Sequence, residues 1–240
     1  MQLRRSYDDY QLAGKLRIVW VLATISMAFA GTVLLSCQAS AQGSFTSGII
    51  NIDFTFPLVG INQPYVGAAA IGSPGDYWNG INAQYLPILN GLKDNSGNVT
   101  TVGFFDDSGF GAYAAPGFGG TYAALFDAGI GSTTAQMSGL NPNTQYDLYF
   151  YSGYLTPVSI NVNGTLFSFN GAMNPASTLI PGAGYQEQLV TTDGTGDLNI
   201  TAASGYYSGL QLTPAITPEP STLDLLGLGV ATLFAFRRRK

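Results

Sequence analysis

The stretch Val158-Ser159-Ile160-Asn161-Val162-Asn163-Gly164 alternates apolar and polar side chains at each step and then meets Asn-Gly. A period of two puts Val158, Ile160 and Val162 on one face of a strand and Ser159, Asn161 and Asn163 on the other. Asn163-Gly164 is a preferred two-residue hairpin turn, because both positions tolerate positive φ, and Leu166–Phe169 comes next as the returning strand. The same alternation recurs in Asp197–Ala202 and in Ile50–Phe56. Further outward, Val99–Phe105, Thr133–Met137, Tyr146–Tyr151, Gln186–Thr192 and Ser208–Thr213 have strand composition. Turn signals separate them, notably Asp94-Asn95-Ser96-Gly97-Asn98 and Asp193-Gly194-Thr195-Gly196-Asp197. No apolar period of 3.6 residues is sustained between residues 42 and 216. The pattern predicts an all-β fold, a single jelly-roll-like β-sandwich over residues 42–216.

Composition narrows the chemistry. The 240 residues include nine Lys and Arg, fourteen Asp and Glu, one Cys and no His. Without His there is no Ser-His-Asp or Cys-His nucleophile and no His-ligated zinc from this chain. One Cys excludes an intrachain disulfide and a thiolate metal cluster. The expectation is no cofactor and no metal centre. Basic residues collect at the ends: Arg4, Arg5, Lys15 and Arg17 at one, Arg237, Arg238, Arg239 and Lys240 at the other. Between residues 42 and 216 only Lys93 stands against ten acids, a balance of −9. Such a domain does not suit a phosphate backbone, so nucleic acid is not an expected partner.

The termini address a membrane. Ile18–Leu35 is a mostly apolar run behind a basic leader, and Ala39-Ser40-Ala41 is a small-x-small cleavage site. This order predicts a secretory signal peptide over 1–41, a signal helix that signal peptidase removes before Gln42. Two other readings stand beside it. The run is nearly long enough to stay as an anchor, and Leu34-Leu35-Ser36-Cys37 resembles a bacterial lipobox, in which Cys37 would be acylated. At the other end, Pro218-Glu219-Pro220 precedes an apolar run over 221–236 and the cluster Arg237-Arg238-Arg239-Lys240. The run would make about 24 Å of helix, a short membrane segment with the basic cluster as its cytoplasmic stop. Asp224 departs from its apolar character. The three parts in this order resemble the PEP-CTERM sorting signal. That resemblance implies a bacterial exported protein, membrane-anchored through its C-terminal helix, then processed by an exosortase and left at the cell surface or outside the cell. It also implies association with exopolysaccharide, matrix and biofilm.

The middle carries weaker resemblances. Leu140-Asn141-Pro142-Asn143-Thr144-Gln145-Tyr146 resembles the tyrosine corner of fibronectin type III and related sandwiches, where a Tyr hydroxyl ties back to the upstream backbone. Some 175 residues exceed one such domain, and the closing strands resemble galactose-binding-like and malectin-like jelly rolls. That architecture is often used to bind carbohydrate.

Four features are candidates for chemistry. Asp76, Tyr77, Trp78 and Asn79 bring together an indole, a phenol and two hydroxyl-binding groups, the composition of a sugar site. The competing reading has Trp78 filling the core and Asp76 capping a turn. Asp106-Asp107 offers carboxylates for a glycosidase pair, but adjacent strand residues face opposite ways, so Asp53, Asp147 or Glu187 would have to complete it. The turns at Asp94 and Asp193 have oxygen-rich spacing without the acidic count of a Ca²⁺ loop. The Gly- and aromatic-rich segment 106–131 is either stapled to the sandwich edge or a binding loop. The function expected from these residues is an exported surface or matrix protein without catalytic activity. A carbohydrate-binding module with its site at Asp76–Asn79 is the alternative, and a polysaccharide-active enzyme is a third reading.

Overall fold

The computed structural model describes residues 45–216 apart from 58–59, 62, 86–87, 107–112, 115–119, 132–133, 155 and 172–177. The stretches read as signal peptide and sorting tail, the apolar runs 18–35 and 221–236 among them, lie outside the described residues, as does Cys37. Among the described residues no helix is long and apolar enough to cross a membrane.

Two six-stranded sheets form the sandwich. Sheet one runs β11 (Ile180–Pro181), β12 (Gly184–Thr191), β8 (Gln145–Tyr151), β15 (Gly209–Pro214), β1 (Ile50–Thr55), β2 (Asn79–Asn82). Sheet two runs β10 (Thr165–Asn170), β9 (Pro157–Val162), β13 (Leu198–Ser204), β7 (Thr134–Ser138), β4 (Gly103–Asp106), β3 (Ile88–Leu89). A small third sheet joins β14 (Tyr206–Tyr207), β6 (Ala128–Gly131) and β5 (Tyr113–Ala114), and a single helical turn, α1 (Ala123–Phe126), precedes β6.

The alternating residues do what their period dictates. Val158, Ile160 and Val162 of β9, with Leu198 and Ile200 of β13, are buried against Ile50, Ile52, Leu148, Phe150, Leu210 and Leu212 of sheet one. Burying each such side chain stabilises the fold by about 1.5–3 kcal/mol. Asn163 and Gly164 take positive φ, 46° and 89°, in the predicted hairpin.

The structure corrects some strand boundaries. Of the expected strand Val99–Phe105 only Gly103–Phe105 joins the sheet, in a strand that runs on to Asp106. Upstream the backbone pairs with residues 92–93 instead: Leu92 N–H donates to Val102 O at 2.8 Å and Thr100 N–H to Leu92 O at 2.9 Å, while the Thr100 hydroxyl accepts from the Val102 N–H at 3.1 Å. Strand β2 begins at Asn79, the last residue of the stretch read as a sugar site, and pairs parallel to β1. In the Gly-rich segment, Tyr113–Ala114 and Ala128–Gly131 pair as β5 and β6, so the described part is stapled to the body. Tyr113 packs against Tyr154 and Tyr206, with ring centroids 5.4 and 4.8 Å apart. A Cβ on Gly129 would collide with the Tyr113 ring, which accounts for glycine there.

The tyrosine corner is present. The Tyr146 hydroxyl accepts from Asn141 N–H and donates to Phe45 O, each at 3.1 Å. It thereby pins the first described residue to the same pole at which β15 ends, where Ala215 N–H donates to Gln145 O and the Thr213 hydroxyl to Gly48 O. The opposite pole carries the third sheet. Replacing Tyr146 by Phe keeps the ring and removes both bonds, so unfolding by denaturant should show a loss of about 1–2 kcal/mol; an unchanged midpoint would mean the corner contributes nothing.

Candidate functional site

The outward side of sheet one is covered over β1, β15 and the end of β8, while Glu187 and Leu189 of β12 remain exposed. Asn51 and Asp53 of β1, Gln211 of β15 and Tyr149 and Tyr151 of β8 point away from the main core, and all are buried. The irregular segment 63–78 lies over them, and its backbone finds partners among those side chains. Gln211 donates to Asn51 Oδ1 at 2.7 Å and accepts from the Tyr151 hydroxyl. The same Tyr151 oxygen accepts from Ala70 N–H at 3.0 Å, and Asn51 Nδ2 donates to Tyr77 O at 2.8 Å. Asp53 Oδ2 accepts from Tyr65 N–H at 2.7 Å. A second apolar cluster of Tyr65, Trp78, Leu125, Phe126, Tyr149 and Tyr151 fills the space between.

The four residues singled out from the sequence separate in role. Trp78 is 1% exposed, with its ring edge-on to Tyr65 at 5.2 Å and its indole N–H donating to Gly67 O at 2.9 Å. It plugs the second cluster and offers no open face. Asn79 is also internal: Oδ1 accepts from Lys93 N–H at 2.9 Å, and Nδ2 donates to Lys93 O at 2.8 Å and Asn51 O at 2.9 Å. Its amide thus serves as the strand partner of residue 93. Asp76 Oδ2 caps the turn by accepting from Ser73 N–H at 3.0 Å. Tyr77 alone is turned outward, 39% exposed, with the Lys93 ammonium 4.9 Å from its ring centroid.

Tyr77 stands in a cleft of about 390 Å³. Pro64 and Val66 form one wall, Gly75 to Trp78 the base, and Asn95 to Gly97 the other wall. Tyr77 N–H donates to Asn95 O at 2.9 Å and Asn95 N–H to Ile49 O at 2.8 Å, so the base and the 95–97 wall are fixed to the start of β1. Sequence reasoning found the base and missed the walls. Val66 has no periodic neighbour, and Asn95–Gly97 reads as an ordinary turn.

Of the other candidates, Asp147 of β8 and Glu187 of β12 share the outer face of sheet one on neighbouring strands, where burial and the charge of Glu187 raise the Asp147 pKa, and Glu187 also accepts from the Tyr149 hydroxyl at 3.0 Å. Asp53 lies on β1 and Asp106 on sheet two, and Asp107 is outside the described residues. Asp94 and Asp193 are engaged by their own turns. Asp94 Oδ1 accepts from Ser96 and Asn98 N–H, and Asp193 Oδ1 from Thr195 and Asp197 N–H. Hydrogen bonds from the Thr195 hydroxyl and these amides hold the Asp193 carboxyl below its usual range.

Pro218, Glu219, Pro220 and Arg237, Arg238, Arg239 and Lys240 lie outside the described residues, among which Ala215 N–H makes the hydrogen bond nearest the tail, to Gln145 O. The chain beyond Ala215 decides the sorting question. Residues 217–240 are a PEP-CTERM protein-sorting motif. A PEP-CTERM tail marks an exported protein that is a substrate of exosortase-type sorting, anchored at its C-terminus before processing. No curated protein matches the chain. Among solved structures, the chain is similar to the Bacillus subtilis protein YxiM at 16% identity and a TM-score of 0.40, covering 70% of this chain and 40% of that one. It is also similar to beta-glucuronidase 2 of Bacteroides uniformis (12% identity, TM-score 0.32, 62% of this chain and 22% of that one). A third is an exo-beta-1,3-galactanase of Phanerochaete chrysosporium (17%, 0.25, 50% and 32%). The PEP-CTERM chain spans two fifths or less of these three proteins, and such likenesses carry no argument about its activity.

Two carboxyls beneath this cover are perturbed. Burial pushes Asp53 well above the usual carboxylate range, partly offset by the Tyr65 amide and reinforced by the charge of Asp127. Burial also raises Asp127 to about 6. Neither Oδ1 has a hydrogen-bond partner. The folded state therefore holds protons that the unfolded chain, with Asp near 3.9, has released. Stability from these groups is present below that value and is lost as pH rises, through about 6 for Asp127. Asp193 acts in the opposite sense and only below the window. The denaturation midpoint should fall between pH values of about 4.5 and 7, and Asp127→Asn should flatten that fall; equal slopes in the two proteins would refute it.

The cleft and the plug separate by mutation. Trp78→Ala should cost about 3–5 kcal/mol of stability, whereas Tyr77→Ala should change it by less than about 0.5–1 kcal/mol, both read from denaturant unfolding. Equal losses would mean Tyr77 is a packing residue.

Proposed function

We propose that this chain is an exported surface or matrix protein without catalytic activity of its own, and that the Tyr77 cleft makes its contact with extracellular polysaccharide. The observation that carries the reading is the cleft itself: an outward aromatic ring on a fixed backbone, beside the amide of Asn95, the hydroxyl of Ser96 and the apolar wall of Val66. Aromatic rings meet the apolar face of a pyranose, and neutral amides and hydroxyls exchange hydrogen bonds with its edge. The volume, about 390 Å³, is at the small end for ligand sites, room for one or two sugar units. Affinity at a single cleft is then weak, and retention in a matrix depends on many copies acting together. With Lys93 as the one cation of residues 42–216, the ligand is a neutral polymer rather than an acidic one.

The non-catalytic part of the reading is supported by the placement of the carboxyls. Those with raised pKa, Asp53, Asp127 and Asp147, are not among the residues lining the cleft. A dedicated carbohydrate-binding module is the second reading, favoured if one sugar is strongly preferred. The mature protein and its Tyr77→Ala variant should be compared on a glycan array. Weak signals on neutral glycans that vanish in the variant support matrix contact through the cleft, and tight binding to one glycan supports the module. Signals that survive Tyr77→Ala would sink both.

A further inference from the structure

Each of the two main sheets has two edges, and three of these edges are short or occupied. β11 and β3 are two residues long, and β11 contains Pro181. β2 has four residues, and the Asn79 side chain at its start is engaged with the backbone of Lys93. β10 differs. It runs six residues, Thr165–Asn170, in unbroken register with β9, and it has no Lys, no Pro and no bulge, the devices that blunt an edge.

Hairpin geometry shows which backbone groups of β10 are left over. Across a two-residue turn the closing pair exchanges both backbone hydrogen bonds, and such pairs then alternate along the ladder. Val162 and Thr165 close the turn, so Thr165, Phe167 and Phe169 bond to β9, while Leu166, Ser168 and Asn170 turn their N–H and C=O outward. Asn170 N–H accordingly donates to Gly182 O at 3.1 Å. Among the described residues no strand pairs with Leu166 or Ser168 on that side, and both are exposed, Leu166 by 63%. Phe167 between them is half-buried, its ring centroid 5.5 Å from that of Phe150.

We propose that this edge pairs with the same edge of a second copy of the chain, antiparallel about a two-fold axis at Phe167. In that register Leu166 of one copy lies opposite Ser168 of the other, and each outward N–H meets a C=O. The two copies' six-stranded sheets become one. Phe167 meets its counterpart in a non-hydrogen-bonded pair, with Cβ atoms about 4.5–5.5 Å apart.

Charge selects a copy as the occupant. No Asp, Glu, Lys or Arg occurs from Leu148 to Gln186, so the whole balance of −9 between residues 42 and 216 lies outside the stretch that contains β10. Two copies repel each other least where this neutral edge leads. Antiparallel pairing also puts the two Asp193–Asp197 turns, which touch the hairpin at Asn163, at opposite ends of the joint. A foreign strand would have to arrive uncharged and correctly spaced, whereas a copy is both by construction. Because each copy uses up its one long edge, the pairing closes as a dimer instead of growing. Two such strands bury less than the roughly 1,000 Å² of a stable interface, so the dimer is weak. It does not depend on what the Tyr77 cleft binds, and it doubles the clefts carried by one particle.

Sedimentation equilibrium of the mature protein under reducing conditions, from about 1 μM to about 1 mM, covers the affinities of so small a contact. The wild type should pass from monomer to dimer in this range, and more readily at high salt, because the copies carry like charge. Ser168→Pro deletes an outward N–H that β9 does not use, and Leu166→Glu adds a like charge at the joint. Each should weaken the dimer at least about tenfold, with circular dichroism confirming that both variants fold. Thr201→Glu, the same charge on the exposed outer face of β13, should change it less than about threefold. Amide exchange at Leu166 and Ser168 should slow at least about tenfold in the dimer. A monomer at every concentration would overturn the pairing and leave the edge to a strand of another protein. A dimer that survives both edge variants, or that Thr201→Glu disrupts equally, would overturn it by placing the contact elsewhere. No sugar enters these measurements, so the glycan-array outcome stands or falls separately.

Discussion

The hydrogen-bonded set Tyr151–Gln211–Asn51 holds an irregular segment, 63–78, onto a sheet face that would otherwise meet water. Outside β2 this segment has no ladder of its own, and buried backbone groups left without partners cost about 1–3 kcal/mol each. Side chains on outward positions of three central strands supply those partners. The central strands of sheet one are therefore buried on both faces, one in the sandwich core and one in the Trp78 cluster. The cleft exists because the fixed segment meets the 95–97 turn at the margin of that second cluster.

Charge scarcity explains the chemistry of this set. A domain with a single Lys has no cation with which to pair a buried carboxylate, and an unpaired buried charge is costly. The interior accordingly uses amides and phenols, which satisfy one another while neutral. Where carboxyls do occur inside, as at Asp53, desolvation favours the protonated form. The same scarcity leaves a surface with little electrostatic preference, which suits weak contact with uncharged polymers better than steering toward ions.

Much of the architecture was legible because sandwich strands with one wet face advertise their period. Val158–Val162 and Leu198–Ala202 fold as their alternation dictates, and Tyr146 makes the corner its context suggested. The illegible parts have a common cause. Asn79 forms hydrogen bonds no alternation encodes, and β2 is absent from the expected strands. Trp78 sits in a core built on the outer side of a sheet, where pattern alone expects solvent, so its sugar-site reading gave way to a packing one, and the outward ring proved to be its neighbour Tyr77. In the Gly-rich segment, where the sequence left stapling and a binding loop equally open, Gly129 and Gly131 give clearance for the rings of Tyr113 and Tyr206.

The position of β15 at the centre of sheet one bears on load. A pull on the tail runs along the strand axis, with β8 on one side and β1 on the other. Such a force shears both ladders together rather than unzipping them one bond at a time. An edge strand in the same place would peel. Any drag on the body while it is still moored is thus transmitted to a strand laced on both sides.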